Sequence, residues 1–198
     1  MKRLYLGIGI AAVIAAITAV VKIRRAPRPA DCVDGGVRHY SSGDDAPKTI
    51  VSSEITDFRC EFSLYAAADP GKLGCGKYKC SAVLQEGTAA CSIRWQERTG
   101  ASGDRTFTAG RKFLQKLQET VSAHDLVKHN GYVSRVSGLP DMYGASLSVR
   151  YASGESIYAY DNQHNFLTDE VMNDLFTLFT TWNESGNTEE SSCPSMTS

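Results

Sequence analysis

No aspartate or glutamate occurs in the first thirty residues, although 22 acidic residues lie beyond them. The same stretch holds six of the 21 lysines and arginines, and none of those six falls between Leu4 and Val21. Eighteen consecutive residues, LYLGIGIAAVIAAITAVV, therefore carry no charge. A run with no polar face is excluded from the surface of a globular domain. As a helix it measures about 27 Å, enough for the hydrocarbon core of a bilayer. Lys22 can snorkel from its end toward the interface.

Motifs that would name a chemistry are also missing. The chain has no H-E-x-x-H, no G-x-S-x-G, no G-x-x-x-x-G-K-[ST] and no S-x-x-K. Zincin proteolysis, the nucleophile elbow, the phosphate loop and the penicillin-binding signature are thereby excluded. A Ser–His–Asp triad assembled only in space leaves no such spacing. No internal repeat is present. Basic residues are scarce beyond residue 30, where 15 stand against 22 acidic ones for a net charge of −7. An acidic body without a basic stripe argues against nucleic acid as a partner.

Three readings compete for the apolar run. A cleaved signal peptide calls for a shorter core and a small-residue cleavage site close behind it. Here Lys22, Arg24, Arg25 and Arg28 follow instead. Lipidation at Cys32 is disfavoured by Pro29-Ala30-Asp31 before it, and a buried helix by the absence of a polar face. The expectation is an uncleaved single-pass anchor over residues 4–23, with residues 1–3 as a basic terminus. The two basic flanks nearly balance, so the positive-inside rule decides orientation weakly. Six cysteines in a small chain favour an oxidising compartment, and hence a body outside the cytoplasm.

Residues 24–48 mix Pro, Gly, Ser and Asp with few large apolar groups, the composition of a flexible linker. Its residues 26–48 would span roughly 25–30 Å as a coil. Residues 184–198 read as a disordered polar tail. Residues 49–183 suit one globular domain.

Within that domain Ile55, Phe58, Cys60, Phe62 and Leu64 share one strand face, with Asp57, Arg59, Glu61 and Ser63 opposite. Strands Lys77–Gln85 and Thr88–Glu97 meet at Glu86-Gly87. Pairing Gln85 with Thr88 sets Tyr78 opposite Trp95, Cys80 opposite Ile93 and Ala82 opposite Cys91. A fourth short strand is expected over 105–108, after which Thr108 can cap a helix. Phe113, Leu114, Leu117, Val121 and His124 make that helix's stripe. A second helix begins at Thr168, with Asp169 and Glu170 in its first turn and a staple of Leu167 with Met172.

Residues 145–160 allow two hairpin registers. A two-residue Ser153-Gly154 turn pairs Ala152 with Glu155. A three-residue loop places Gly154 at a left-handed bulge and aligns Leu147 with Ala159 and Val149 with Ile157. The second is preferred, because small and aliphatic residues then pack together. Ser148, Arg150, Tyr158 and Tyr160 are left on the other face.

The string Leu126-x-x-x-Asn130-Gly131-Tyr132, a Gly-rich turn, Ser146-Leu147-x-Val149-x-Tyr151, Gly154, Ile157-x-Ala159, Asn162 and Phe166-Leu167 resembles a recurrent module of uncharacterised bacterial envelope proteins. Members typically carry an N-terminal anchor or lipobox. The resemblance covers about residues 110–182, and Leu167 stands where the family usually has Pro. It implies a fold and an envelope location, and no established activity.

Cys60, Cys75, Cys80 and Cys91 allow disulfides, a zinc site or buried thiols. The C-x4-C spacing of Cys75 and Cys80 is looser than that of zinc ribbons. Cys80 with Cys91, after a register shift, and Cys60 with Cys75 are the expected bridges in an oxidising compartment. No cofactor or metal is expected. Asp57 and Glu61 are spaced like paired carboxylates, yet solvated strand-face charges are the simpler reading. The run Asp161–Asn165 is oxygen-rich but lacks calcium-loop spacing. His124 reads as a core-edge residue.

The one surface singled out as a binding site is Tyr158, Tyr160 and Arg150, with Tyr143 from the neighbouring loop, since Tyr and Arg anchor partner contacts. A helix packed over that face would instead make the tyrosines core. The expected architecture is α+β, an antiparallel sheet of about five to seven strands with two packed helices, preceded by one transmembrane helix. The expected function is a membrane-tethered, non-catalytic binding or assembly module of the envelope with a protein partner. The alternatives are an extracytoplasmic hydrolase with a spatially assembled site, and an accessory subunit whose anchor pairs in the bilayer.

Overall fold

In the computed structural model the described residues are 31–33 (backbone only), 36–64, 73–140 and 143–183. The expected anchor over 4–23 and the expected tail over 184–198 lie outside them. Among the described residues no helix is long and apolar enough to cross a membrane.

The strand β3, Ile55–Leu64, shows how the alternation builds the core. Phe58, Cys60 and Phe62 are buried while Arg59 and Glu61 are exposed. Ile55 is also buried, which breaks strict alternation with Phe58. A bulge between Ile55 and Asp57 supplies the extra residue that restores the phase. β4 (Gly76–Gln85) and β5 (Thr88–Glu97) pair in the expected register, Tyr78 with Trp95 and Ala82 with Cys91. Glu86 and Gly87 both hold positive φ, 50° and 89°, the mirror-image turn that suits strand twist. β6 runs Ser102–Ala109 beside β5, four residues longer than expected.

The helix α1, Arg111–Ala123, is capped by Gly110 without a side-chain bond, and Thr108 remains in β6. Thr108 is thus not the cap: β6 pairs with β5 as far as Ala109, which holds it in the ladder. Leu126–His129 follow as a single 3₁₀ turn. β7 (Val133–Ser137), β8 (Ala145–Tyr151) and β9 (Ser156–Asp161) come next. β8 and β9 take the three-residue loop, with Leu147 opposite Ala159, Val149 opposite Ile157, and Gly154 at φ 87°. The helix α2, Asp169–Thr181, starts at Thr168, whose side chain accepts from the Val171 N–H. Leu167 and Met172, the expected staple, are both buried.

Two strands precede these. β1, Asp31–Val33, is a three-residue ribbon on β2, Gly36–Ser41, and β2 pairs antiparallel with β7. The expected linker therefore does not extend to residue 48. Lys48 Nζ donates to the carbonyls of Lys128 and Asn130, and Asn130 Nδ2 donates to the Pro47 carbonyl, which ties the following loop to the 3₁₀ turn.

The strand order is β1-β2-β7-β9-β8-β3-β4-β5-β6. The sheet has eight strands besides the short β1 ribbon, which makes the ninth, more than the five to seven expected. It is mixed rather than purely antiparallel, because β7 runs parallel to β9. Both helices pack on one face. Phe179 of α2 stacks on Phe58 at 6.2 Å and meets Phe113 of α1 edge-on at 5.1 Å, and Phe176 meets Tyr78 and Trp95. Each such aromatic pair adds about 0.5–1.5 kcal/mol to its area burial.

Candidate functional site

With both helices on one side, alternation sends every second side chain of the inner strands to a face with no helix over it. The register fixes what stands there. One row crosses the sheet as Tyr160, Ser146, Glu61, Lys79, Arg94 and Asp104, from β9 to β6. A second runs Tyr158, Ser148, Arg59, Ser81, Ser92 and Thr106. Arg150 opposes Asp57 in a third. Neighbouring strands lie about 4.8 Å apart, so Tyr160 and Arg94 are separated by about 19 Å of sheet.

A trough of ≈ 310 Å³ lies along the first row, lined by Glu61, Ser63, Lys77, Lys79, Arg94, Gln96, Ser146, Tyr160 and Asn162. Phe62 and Tyr78 also border it, although their side chains are buried against the helices. Its charges are unevenly matched. Lys79 pairs with Glu61. Lys77 and Arg94, both exposed, form no ion pair among the described residues, although Asp104 stands across from Arg94 on β6. Beside the trough, Asp57 is shared by Arg59 at 3.0 Å and Arg150 at 3.7 Å. The carboxylates Asp57 and Glu61 thus neutralise neighbouring cations.

Of the residues singled out by sequence, Tyr158, Tyr160 and Arg150 come together on this uncovered face. Tyr158 is half exposed, at 50%. No helix packs over them, because Ile157 and Ala159 supply the buried side of β9. Tyr143 stands apart from the trough, where its hydroxyl accepts from Arg98 Nη1 at 3.4 Å. Lys77, Lys79 and Arg94 were missed. The signal for them was present, since the register that buries Tyr78 and Cys80 also turns both lysines outward and sets Lys79 opposite Arg94.

The cysteines do not line this face. Cys60, Cys75, Cys80 and Cys91 are free thiols in this structure. Cys80 faces Cys60 across β3 and β4, not Cys91, and the β4–β5 register is unshifted. Burial and its thiol neighbour push Cys60 well up, and burial pushes Cys80 and Cys91 to about 12. These are inert groups in the folded chain.

The remaining polar residues serve the fold. Buried Asp161 accepts from the Tyr132 hydroxyl at 2.7 Å and from the N–H groups of Gln163 and His164. Burial, then that bond, pushes Tyr132 to about 12. Asn162 pairs both ways with the Val136 backbone at 2.9 Å and stands in for a strand residue. His124 Nε2 contacts Asp174 at 2.8 Å, holding α1 to α2. His129 packs against Phe166, and burial lowers its pKa. No histidine lines the trough, and among the described residues no group of three His, Cys, Asp or Glu side chains could hold a metal ion.

No family model, curated protein or solved structure matches the chain.

Proposed function

We propose that the chain is a membrane-tethered, non-catalytic binding or assembly module of the cell envelope, and that the uncovered face of its sheet is the contact surface. The observation that carries this reading is the one-sided packing of both helices. It leaves Tyr158, Arg59 and Arg150 exposed and Tyr160 partly exposed on sheet strands, and Tyr and Arg are the residues that most often anchor partner contacts. The trough pairs serines and a tyrosine with lysines and an arginine but no histidine, which favours binding over hydrolysis. The uncharged run over residues 4–23 and its basic flanks support the tether, and the resemblance over residues 110–182 supports the envelope.

Photocrosslinking from position 158 of the full chain, in its native membrane, tests the contact face. A discrete adduct is expected there, with none from position 112 on the exposed side of α1. No adduct at 158, or equal yields from the two positions, overturns the reading. Thiol labelling of intact cells at sites introduced near residues 40 and 190 reports which side the body occupies.

A further inference from the structure

The trough differs in charge from the body around it. Residues beyond 30 carry a net −7, yet Lys77, Lys79 and Arg94 gather here, with Glu61 paired to Lys79 and Asp104 across from Arg94, while Arg59 and Arg150 share Asp57 beside them. Lys77 and Lys79 are two apart on one strand face, and Arg94 stands directly across from Lys79. Like charges set side by side on a sheet are unfavourable by themselves. An incoming anion would relieve that cost, and Ser146 and Tyr160 add hydroxyls at the other end of the row.

The shape narrows the ligand. Small-molecule sites usually enclose 70–90% of their ligand within about 300–1,000 Å³. This trough, at ≈ 310 Å³, lies open along a sheet face. It has room for one or two side chains, and it continues into the exposed band of Tyr158, Arg59 and Arg150 that a larger partner would cover.

We infer that the trough receives an acidic side-chain segment of a partner protein, its carboxylates meeting Lys77 and Arg94 with Tyr160 alongside. This deepens the proposed function and rests on it. Lys79 exchanges its bond to Glu61 for a shared position between that residue and the incoming carboxylate, so the net gain comes mainly from Lys77 and Arg94.

The test uses the isotope-labelled full chain in detergent micelles, titrated with a blocked tetraglutamate peptide and followed by amide chemical shifts. Saturable shifts are expected at Lys77, Lys79 and Arg94, weakening several-fold between about 50 and about 300 mM salt as screening shortens. A tetraglutamine peptide should produce none. Lys77→Glu combined with Arg94→Glu should abolish the response, while Lys77→Arg with Arg94→Lys should retain most of it. Any of four results overturns the inference: no saturable shift, an equal response to tetraglutamine, a response that survives charge reversal, or inorganic phosphate saturating the site below the peptide's concentration. The last would mark a small-oxyanion pocket. An adduct at position 158 without peptide shifts removes the acidic partner and leaves the contact face. Absence of that adduct removes both.

Discussion

Arg105 of β6 donates through Nη1 to the carbonyl of Phe179 at 2.8 Å, in the last turn of α2. The same nitrogen reaches the Thr180 carbonyl, and Nη2 reaches that of Trp182. No basic residue occupies that last turn, so a strand supplies the cation that the helix C-terminus favours. The guanidinium also lies 4.5 Å above the Phe107 ring. Replacing Arg105 with Ala is expected to lower stability by about 2–3 kcal/mol, the scale of charge-assisted bonds lost at a partly buried site. Arg105→Lys should recover less than half, since an ammonium lacks the planar fork. Urea unfolding reads this as a lower midpoint at unchanged slope.

Gly103 of β6 stands opposite Trp95, and a Cβ there would lie 2.4 Å from one indole carbon and 2.5 Å from another. The indole cannot retreat freely because Phe176 closes on it edge-to-face at 5.4 Å. Gly103→Val should cost about 1–3 kcal/mol through overpacking. It should also shift the tryptophan emission. Unchanged emission and midpoint would show that the ring has another place to go.

Glu155 is expected to be a pH-sensitive clasp. Its carboxylate accepts from the N–H groups of Val51 and Ser52, each at 2.9 Å, and from the Ser153 hydroxyl at 2.7 Å. The Val51 bond, then Ser153, then Ser52, hold its pKa below the ordinary glutamate value. A lowered folded-state pKa gives stability that is present above the unfolded value and disappears as pH falls through the folded one. Glu155→Gln should therefore unfold more easily than the parent near neutrality. The difference should close as pH drops below the ordinary glutamate range. Thermal midpoints of both proteins across that range check the sign.

Thiol accessibility should follow burial. With Cys32 and Cys193 replaced by Ser, half-buried Cys75 should react first with an aromatic disulfide reagent. Cys60, Cys80 and Cys91 should react only once denaturant opens the sheet. Raising pH to about 9 should not expose them, because thiolates form poorly in such burial. Four equal rates, or a bridge among these cysteines in the purified chain, would contradict the structure.

Much of the architecture was legible because it is local. In the β4–β5 and β8–β9 hairpins each residue's partner lies within a short turn, so turn chemistry and alternation specify the register together. The Thr168 cap is likewise written in adjacent residues. The edge formed by β2 was not legible. Arg38 pairs with Val136, almost a hundred residues away, and its polar surroundings resemble a linker. The candidate site divides the same way. Tyr158, Tyr160 and Arg150 followed from one hairpin and the outward turn of Lys77, Lys79 and Arg94 from another, while their meeting on one face required β3 to be laid between β4 and β8.

Sequence alone determined the uncharged N-terminal run, the acid-free first thirty residues, the hairpin pairings and the two amphipathic helices, since each depends on neighbours within a few turns of chain. Tertiary structure decided which face of the sheet the helices cover, that β7 runs parallel to β9, and that Cys60 rather than Cys91 faces Cys80. Those outcomes depend on contacts between distant segments. A strand's alternation states that it has two faces, and only packing chooses which of them meets water.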